Sequence, residues 1–172
     1  FTQNCSGNVF GSGTANSVIF ATGSTFIQLT GGNPFQKGQP ASVVVFQHGS
    51  LFSCQGNTSP SASGRTYANF ECNATNTVSL VGSSPLNMDD LSVVQNVLNI
   101  GMSGGFNLSG NVSVAPGAIL NLNNSVATAS GKTVTINGTL EGTAIITGNA
   151  AIVISATGTL APGPFASIGT LT

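Results

Sequence analysis

Charge is what this sequence has least of. Charged residues make up 4% of it, against roughly 25% in an ordinary globular domain. Lys37, Arg65 and Lys132 are its only cations, and a nucleic-acid partner needs a basic footprint to meet its phosphates. That class of function is excluded. Long apolar runs are missing too. Stretches such as Val43-Val44-Val45-Phe46 fall far short of the ~20 residues a membrane helix needs, so no membrane insertion is expected. Disorder is excluded by the opposite feature. Hydrophobic residues reach 40% and the net charge is −1, whereas disordered chains combine low hydrophobicity with high net charge. A surface so poor in charge resists self-association weakly. Either neighbouring subunits or attached sugars are needed to cover it.

What is present points to strands. "NVSVAPGAILNLNN" (111–124), "GKTVTINGTLEG" (131–142), "NAAIVISATGTLAPG" (149–163) and "IGTLT" (168–172) share one style. Each is a short apolar-polar alternation followed by Gly, Asn or Pro-Gly. Val134 and Ile136 alternate with Thr133 and Thr135, a period of two that puts one face inward. "GTL" recurs at 138–140, 158–160 and 169–171. A spacing near twenty residues with several short strands per repeat is the signature of a solenoid, whose rungs bury their apolar faces only by stacking.

The first part is less regular. Strand-like stretches at 16–32, 41–56 and 66–82 are broken by turns, with His48-Gly49 at one bend and a polar loop at 56–64. Residues 84–101 are ambiguous. Ser84, Pro85, Asp89, Asp90 and Gly101 suit a helix with caps, but Val93, Val94, Val97 and Ile100 are β-branched, and the strand reading is preferred. The expected fold is therefore all-β: a right-handed parallel β-solenoid over 83–172, preceded by an irregular β region over 1–82 that carries the cysteines.

"GTLAPG" followed by "SIGTLT" resembles the repeats of autotransporter passenger domains and related bacterial surface adhesins, over roughly residues 106–172. The resemblance implies a right-handed parallel β-helix displayed at a cell surface. Such passengers are usually poor in cysteine, and the region around Cys5, Cys54 and Cys72 departs from that pattern.

Three cysteines in a secreted chain predict one bridge and one thiol left over. Cys54 and Cys72 flank the polar loop, so the bridge is expected between them, contributing roughly 3 kcal/mol by loop closure. Cys5 is then free or joined to another chain. A start at Phe1 rather than Met is consistent with a removed signal peptide or with a start inside a longer protein.

Asn-x-Ser/Thr occurs at Asn4, Asn57, Asn73, Asn107, Asn111, Asn123 and Asn137. This is a modest excess over chance in a chain so rich in Asn, Ser and Thr. N-glycosylation would supply the hydrated surface that charges do not. The competing reading is that these residues are the polar face of the solenoid. Asn57, on the Ser-rich loop, and Asn73 are the foremost candidates.

Little else carries chemistry. His48 has Ser50 nearby but lacks the orienting group and oxyanion hole that a Ser-His nucleophile needs. Asp89 and Asp90 are adjacent, so on a strand they would face opposite sides rather than pair across a substrate as glycosidase carboxylates do. With Asn87 they could form at most a weak calcium site. Thr133-Val134-Thr135 is one copy of a Thr-x-Thr pattern, too little for an ice-binding ladder. Polysaccharide lyases of the β-helix type need acidic metal ligands and a catalytic base, and only Glu71, Asp89, Asp90 and Glu141 are acidic. No enzyme activity, cofactor or metal is expected.

The expected function is structural: a subunit of an extracellular filament, sheath or surface fibre, with itself as partner and glycans as a second class of partner. The alternative is a monomeric passenger-type adhesin that binds a surface glycan. Solenoid ends expose unpaired backbone groups that native proteins normally cap or charge. Here "SIGTLT", with Ile168 and Leu171, and the stretch containing Val18 and Phe20 are both apolar and uncharged. They are expected to meet head to tail.

Overall fold

The computed structural model describes residues 1–124 and 126–163, with the backbone alone at Asn57. It is all-β, with no helix among the described residues, and its parallel strands stack as a β-solenoid of about six turns. The rungs in order are β1 (Thr2–Gln3); β2 (Val18–Phe20) and β3 (Thr25–Gly31); β4 (Val44–Phe46) and β5 (Leu51–Thr58); and β6 (Arg65–Cys72) and β7 (Val78–Gly82). They continue with β8 (Leu86–Val93) and β9 (Val97–Met102); β10 (Phe106–Leu108), β11 (Val112–Val114) and β12 (Ile119–Leu122). The last two are β13 (Val126–Thr128), β14 (Thr133–Ile136) and β15 (Thr139–Gly142); and β16 (Ile146–Gly148), β17 (Ala151–Ile154) and β18 (Thr159–Pro162).

The sequence period becomes the stacking register. Leu86, Phe106, Val126 and Ile146 are successive partners in neighbouring strands, each twenty residues after the last. Val78, Leu98, Leu120, Leu140 and Leu160 form a second inward column. The recurring Gly-Thr-Leu lies in it, with Thr139 on Thr159 and Leu140 on Leu160. The inward residues of these columns are buried up to Val126 and Leu140 and half-buried at Ile146 and Leu160 in the last described rung, while most residues between them are at least partly exposed, as the period of two requires.

The ambiguous segment is strand. β8 and β9 are joined through Asn96, which adopts φ 56° and donates its Nδ2 to Ala74 O at 2.9 Å. Asparagine tolerates that left-handed turn better than other side chains do. The sheet also runs across position 82 without a break, since β6 pairs with β8 and β7 with β9. The irregularity of the first region lies in its insertions and in one register shift between Gln28 and Thr30 on the β3–β5 ladder.

The core changes character along the stack. Phe1, Phe26, Phe52 and Phe70 stack face to face with centroid spacings of 5.3, 5.2 and 5.3 Å. Leu91, Val112, Val134 and Ile152 continue the same column. One ring per rung fits because the rung spacing, about 4.8 Å, is close to a comfortable offset-stacking distance.

The polar loop differs from its expected place. β5 extends to Thr58, and Pro60, Ser61 and Ala62 are buried. They wall in Arg65, which is 1% exposed. Its guanidinium donates to Ser42 Oγ at 2.6 Å, to Ser61 Oγ at 3.3 Å and to Lys37 O, and lies 4.7 Å over the Phe35 ring. Burial pulls its pKa down, with the neighbouring Tyr67 acting in the opposite sense. This cation ties the inserted loops to the aromatic core.

Candidate functional site

The two ends of the stack are the candidate site. Among the described residues, seven large apolar side chains are exposed: Phe1 56%, Ile19 56%, Val81 63%, Ile145 64%, Ile152 46%, Val153 48% and Ile154 42%. All but Val81 belong to the first two rungs or the last described one. At the far end the core opens into a cavity of about 380 Å³ between Leu122, Leu140, Ile146, Ile152 and Leu160. Among the described residues, β2 pairs only with β4, β1 only with β3 and β17 only with β14. Each therefore keeps one row of backbone groups unpaired. No charged side chain lies in β1, β2, β3, β16, β17 or β18, so the usual guard of an edge strand is missing.

Of the expected assembly residues, Val18 is half-buried and Phe20 is buried, stacked on Phe46 at 4.9 Å. The exposed member of that strand is Ile19, which sequence reading missed because alternation alone did not say which face pointed out. Ile168 and Leu171 lie outside the described residues.

A second group of side chains gathers on one corner. His48 Nδ1 is 2.9 Å from Asp89 Oδ2, and Ser109 Oγ donates to Asp89 Oδ1 at 2.6 Å. The Asp90 carboxylate accepts from Asn111 N at 2.7 Å. Burial pushes the Asp89 carboxyl upward, but the hydrogen bonds from Ser109 and His48 and the charges of His48 and Lys132 outweigh it, and its pKa is lowered. The expectation that Asp89 and Asp90 face opposite sides is corrected here. Met88 and Leu91 both point inward, and the two aspartates between them are partly or fully exposed. The alternation slips because this position is a corner, which in the next rung opens into Ser109-Gly110-Asn111 between β10 and β11. Only a glycine fits at 110, since a Cβ there would run into Asp89 O and the Asp90 carboxylate. These oxygens tie one rung to the next, and no group of three or more metal-ligating side chains forms among the described residues. His48 gains an aspartate partner but no hydroxyl partner, because Ser109 bonds the carboxylate and not the ring.

The Cys54–Cys72 bridge is not formed. All three cysteines are free thiols. Cys54 and Cys72 are direct register partners in β5 and β6, both fully buried. Stacked in register, they point side by side into the core, and Cys54 Sγ lies 2.7 Å from Thr58 Oγ1. Burial pushes Cys54 up to about 12 and Cys72 up to about 11. Cys5 is exposed.

The sequons divide by environment. Asn4, Asn107, Asn111 and Asn123 are exposed, and Asn73 and Asn137 are half-buried. Asn107 donates its Nδ2 to Asn87 Oδ1 at 2.8 Å, and Asn111 Oδ1 accepts from Thr133 N at 3.1 Å. Asn107 and Asn87 thus pair across neighbouring rungs on the outer face, and Asn111 ties its rung to the backbone of the next. Asn57 lies in a strand opposite Thr30 and not on an open loop.

Compared with known proteins, the chain matches no family model, no curated protein and no solved structure.

Proposed function

We propose that this chain is a structural subunit that polymerises head to tail into an extracellular filament, sheath or surface fibre. The observation that carries the proposal is that six of the seven exposed large apolar side chains among the described residues lie at the two ends of the stack. Contiguous exposed apolar surface marks an interaction site. Two different, unguarded ends make a heterologous contact, which propagates as a fibre unless its rotation closes. Strand addition across the contact would pair the open backbone rows. Sugars on the exposed asparagines of the middle rungs, Asn107, Asn111 and Asn123, would hydrate the sides away from the ends. The test is negative-stain electron microscopy of the purified chain over a range of concentrations. Unbranched fibres as wide as one or a few solenoids support the reading. Isolated particles at every concentration overturn it.

A monomeric glycan-binding adhesin is the second reading. It is favoured by a shallow groove across β6, β8 and β11 lined by Asn69, Glu71, Asp90, Ser92, Asn111 and Ser113. Amides, hydroxyls and carboxylates suit sugar hydroxyls. A chain that stays monomeric and binds a glycan array, losing binding on Asp90→Ala, would favour it.

A further inference from the structure

We propose that the head-to-tail junction is an in-register continuation of one strand column, in which β17 of one copy pairs in parallel with β1 of a second copy. This rests on the assembly reading above and specifies its geometry.

The strands β1, β3, β5, β6, β8, β11, β14 and β17 form a single unbroken parallel column. Its positions can be followed residue by residue. Thr2, Ile27, Ser53, Glu71, Ser92, Ser113, Thr135 and Val153 succeed one another at one outward position. Gln3, Gln28, Cys54, Cys72, Val93, Val114, Ile136 and Ile154 do so at the next inward one. Phe1 heads the inward column that ends on Ile152, and its ring already stacks on Phe26. The first and last strands of the column are therefore the same kind of element, in the same orientation, each lacking one neighbour among the described residues.

The step that carries β14 onto β17 carries β17 onto the place a second copy's β1 would take. That step pairs the open N–H and C=O rows without turning either strand, as parallel pairing requires. It sets Phe1 on Ile152, Thr2 on Val153 and Gln3 on Ile154. The contacts match in kind. Phe1, Ile152 and Ile154 are exposed apolar groups that would become covered. Gln3 keeps its amide bonded to Cys5 O at 3.1 Å and Gly7 O at 2.9 Å within its own chain. Gln28 shows that a glutamine can stand in this column against a smaller apolar neighbour, since it is fully buried above Cys54. Neither strand carries a charged side chain, and the one charge beside the junction is the Phe1 ammonium, which donates to Thr25 O at 2.8 Å within its own chain.

The occupant is thus a second copy of this chain, and the outward pair Thr2–Val153 reports it. Partners in adjacent parallel strands lie about 4.8 Å apart, within disulfide reach, and the outward Thr2 and Val153 positions are open to an added oxidant, unlike the buried, unbridged pair Cys54 and Cys72. The test uses the full chain with Cys5→Ser as parent, so that no exposed native thiol competes. Thr2→Cys and Val153→Cys are combined in one chain, assembled, and oxidised by a mild reagent that takes up the two electrons while two protons leave. The expected result is a ladder of covalent multimers on non-reducing gels. A chain with Thr2→Cys and Ser113→Cys, whose second thiol is on the same face but within the stack, should give none. Normal fibres without a Thr2–Val153 ladder would overturn this register while leaving head-to-tail assembly standing. The edge of β17 would then be covered by another segment, such as the chain's own residues 164–172. A parent that forms no fibres at all would overturn both.

Discussion

The two halves of this solenoid fill the same core in different ways. In the first, successive register partners are 25 and 26 residues apart, Thr2 to Ile27 and Thr25 to Leu51, because insertions bulge from the rungs. Those rungs are packed with phenylalanine and braced by a buried arginine. In the second, partners recur every twenty residues along the column from Leu86 to Ile146 and at 18 to 22 elsewhere, and leucine, valine and isoleucine dominate a core that also holds Phe106, Met88 and Met102. The regular half needs no brace because each rung repeats the last. The decorated half has inserted loops whose polar groups need partners, and Arg65 supplies donors to one backbone carbonyl, of Lys37, and to the hydroxyls of Ser42 and Ser61. Regularity and decoration are alternative ways to close a turn, and they share one continuous sheet.

Core truncation should break this comparison most forcefully. Phe52→Ala removes a ring from the middle of the aromatic column and is expected to cost about 3–5 kcal/mol; Leu120→Ala, in the aliphatic half, about 2–5 kcal/mol. Because one sheet spans both halves, either variant should lower a single thermal transition followed by circular dichroism. Two separated transitions would mean that the halves fold independently. Next in size is Arg65→Met. It leaves buried acceptors without a donor, at about 1–3 kcal/mol for each group that finds no new partner, and should leave the aliphatic half's hydrogen-exchange protection intact. Gly110→Ala, at the corner where a Cβ meets Asp89 and Asp90, is expected to cost about 1–3 kcal/mol by overpacking.

Acid should have the smallest effect on stability. The folded-state pKa of Asp89 is lowered, so its contribution is present above the unfolded value of about 3.9 and is lost as pH falls through the lower folded value. An exposed pair of this kind contributes on the order of 0.5 kcal/mol. Asp89→Asn should flatten the acid limb of the denaturation curve by that amount. Thiol labelling sharpens the comparison without an energy scale. Cys5 should react with iodoacetamide in the native protein, whereas Cys54 and Cys72, buried with raised pKa values, should react only after unfolding.

Legibility in the sequence followed regularity. The twenty-residue recurrence of Gly-Thr-Leu gave both the fold and the register of β15 on β18, because nothing interrupts the rungs between them. The insertions around residues 4–17 and 32–43 hid the register of β1 to β5, and with it the identity of the uncovered strands. Arg65 stands out in the sequence only as one of three cations, since no local pattern says that Ser42, 23 residues earlier, will meet it. His48 and Asp89 stand 41 residues apart. Their pairing depends on a corner that alternation does not predict. The first end was legible as an uncharged strand at Val18–Phe20, but which side chain it exposes was not, and the other expected edge, at Ile168 and Leu171, lies outside the described residues.

Of the proposed assembly, the charge-placement experiment is the most direct test. Val153 and Val81 are both exposed valines, one at the last described rung and one within the stack. Val153→Lys and Val81→Lys therefore add the same charge at an end and on a side. Fibre length by electron microscopy, at equal concentration and equal thermal stability, is the measurement. The account predicts that Val153→Lys leaves monomers or short oligomers and that Val81→Lys fibres match the wild type. Fibres of normal length from Val153→Lys would contradict it.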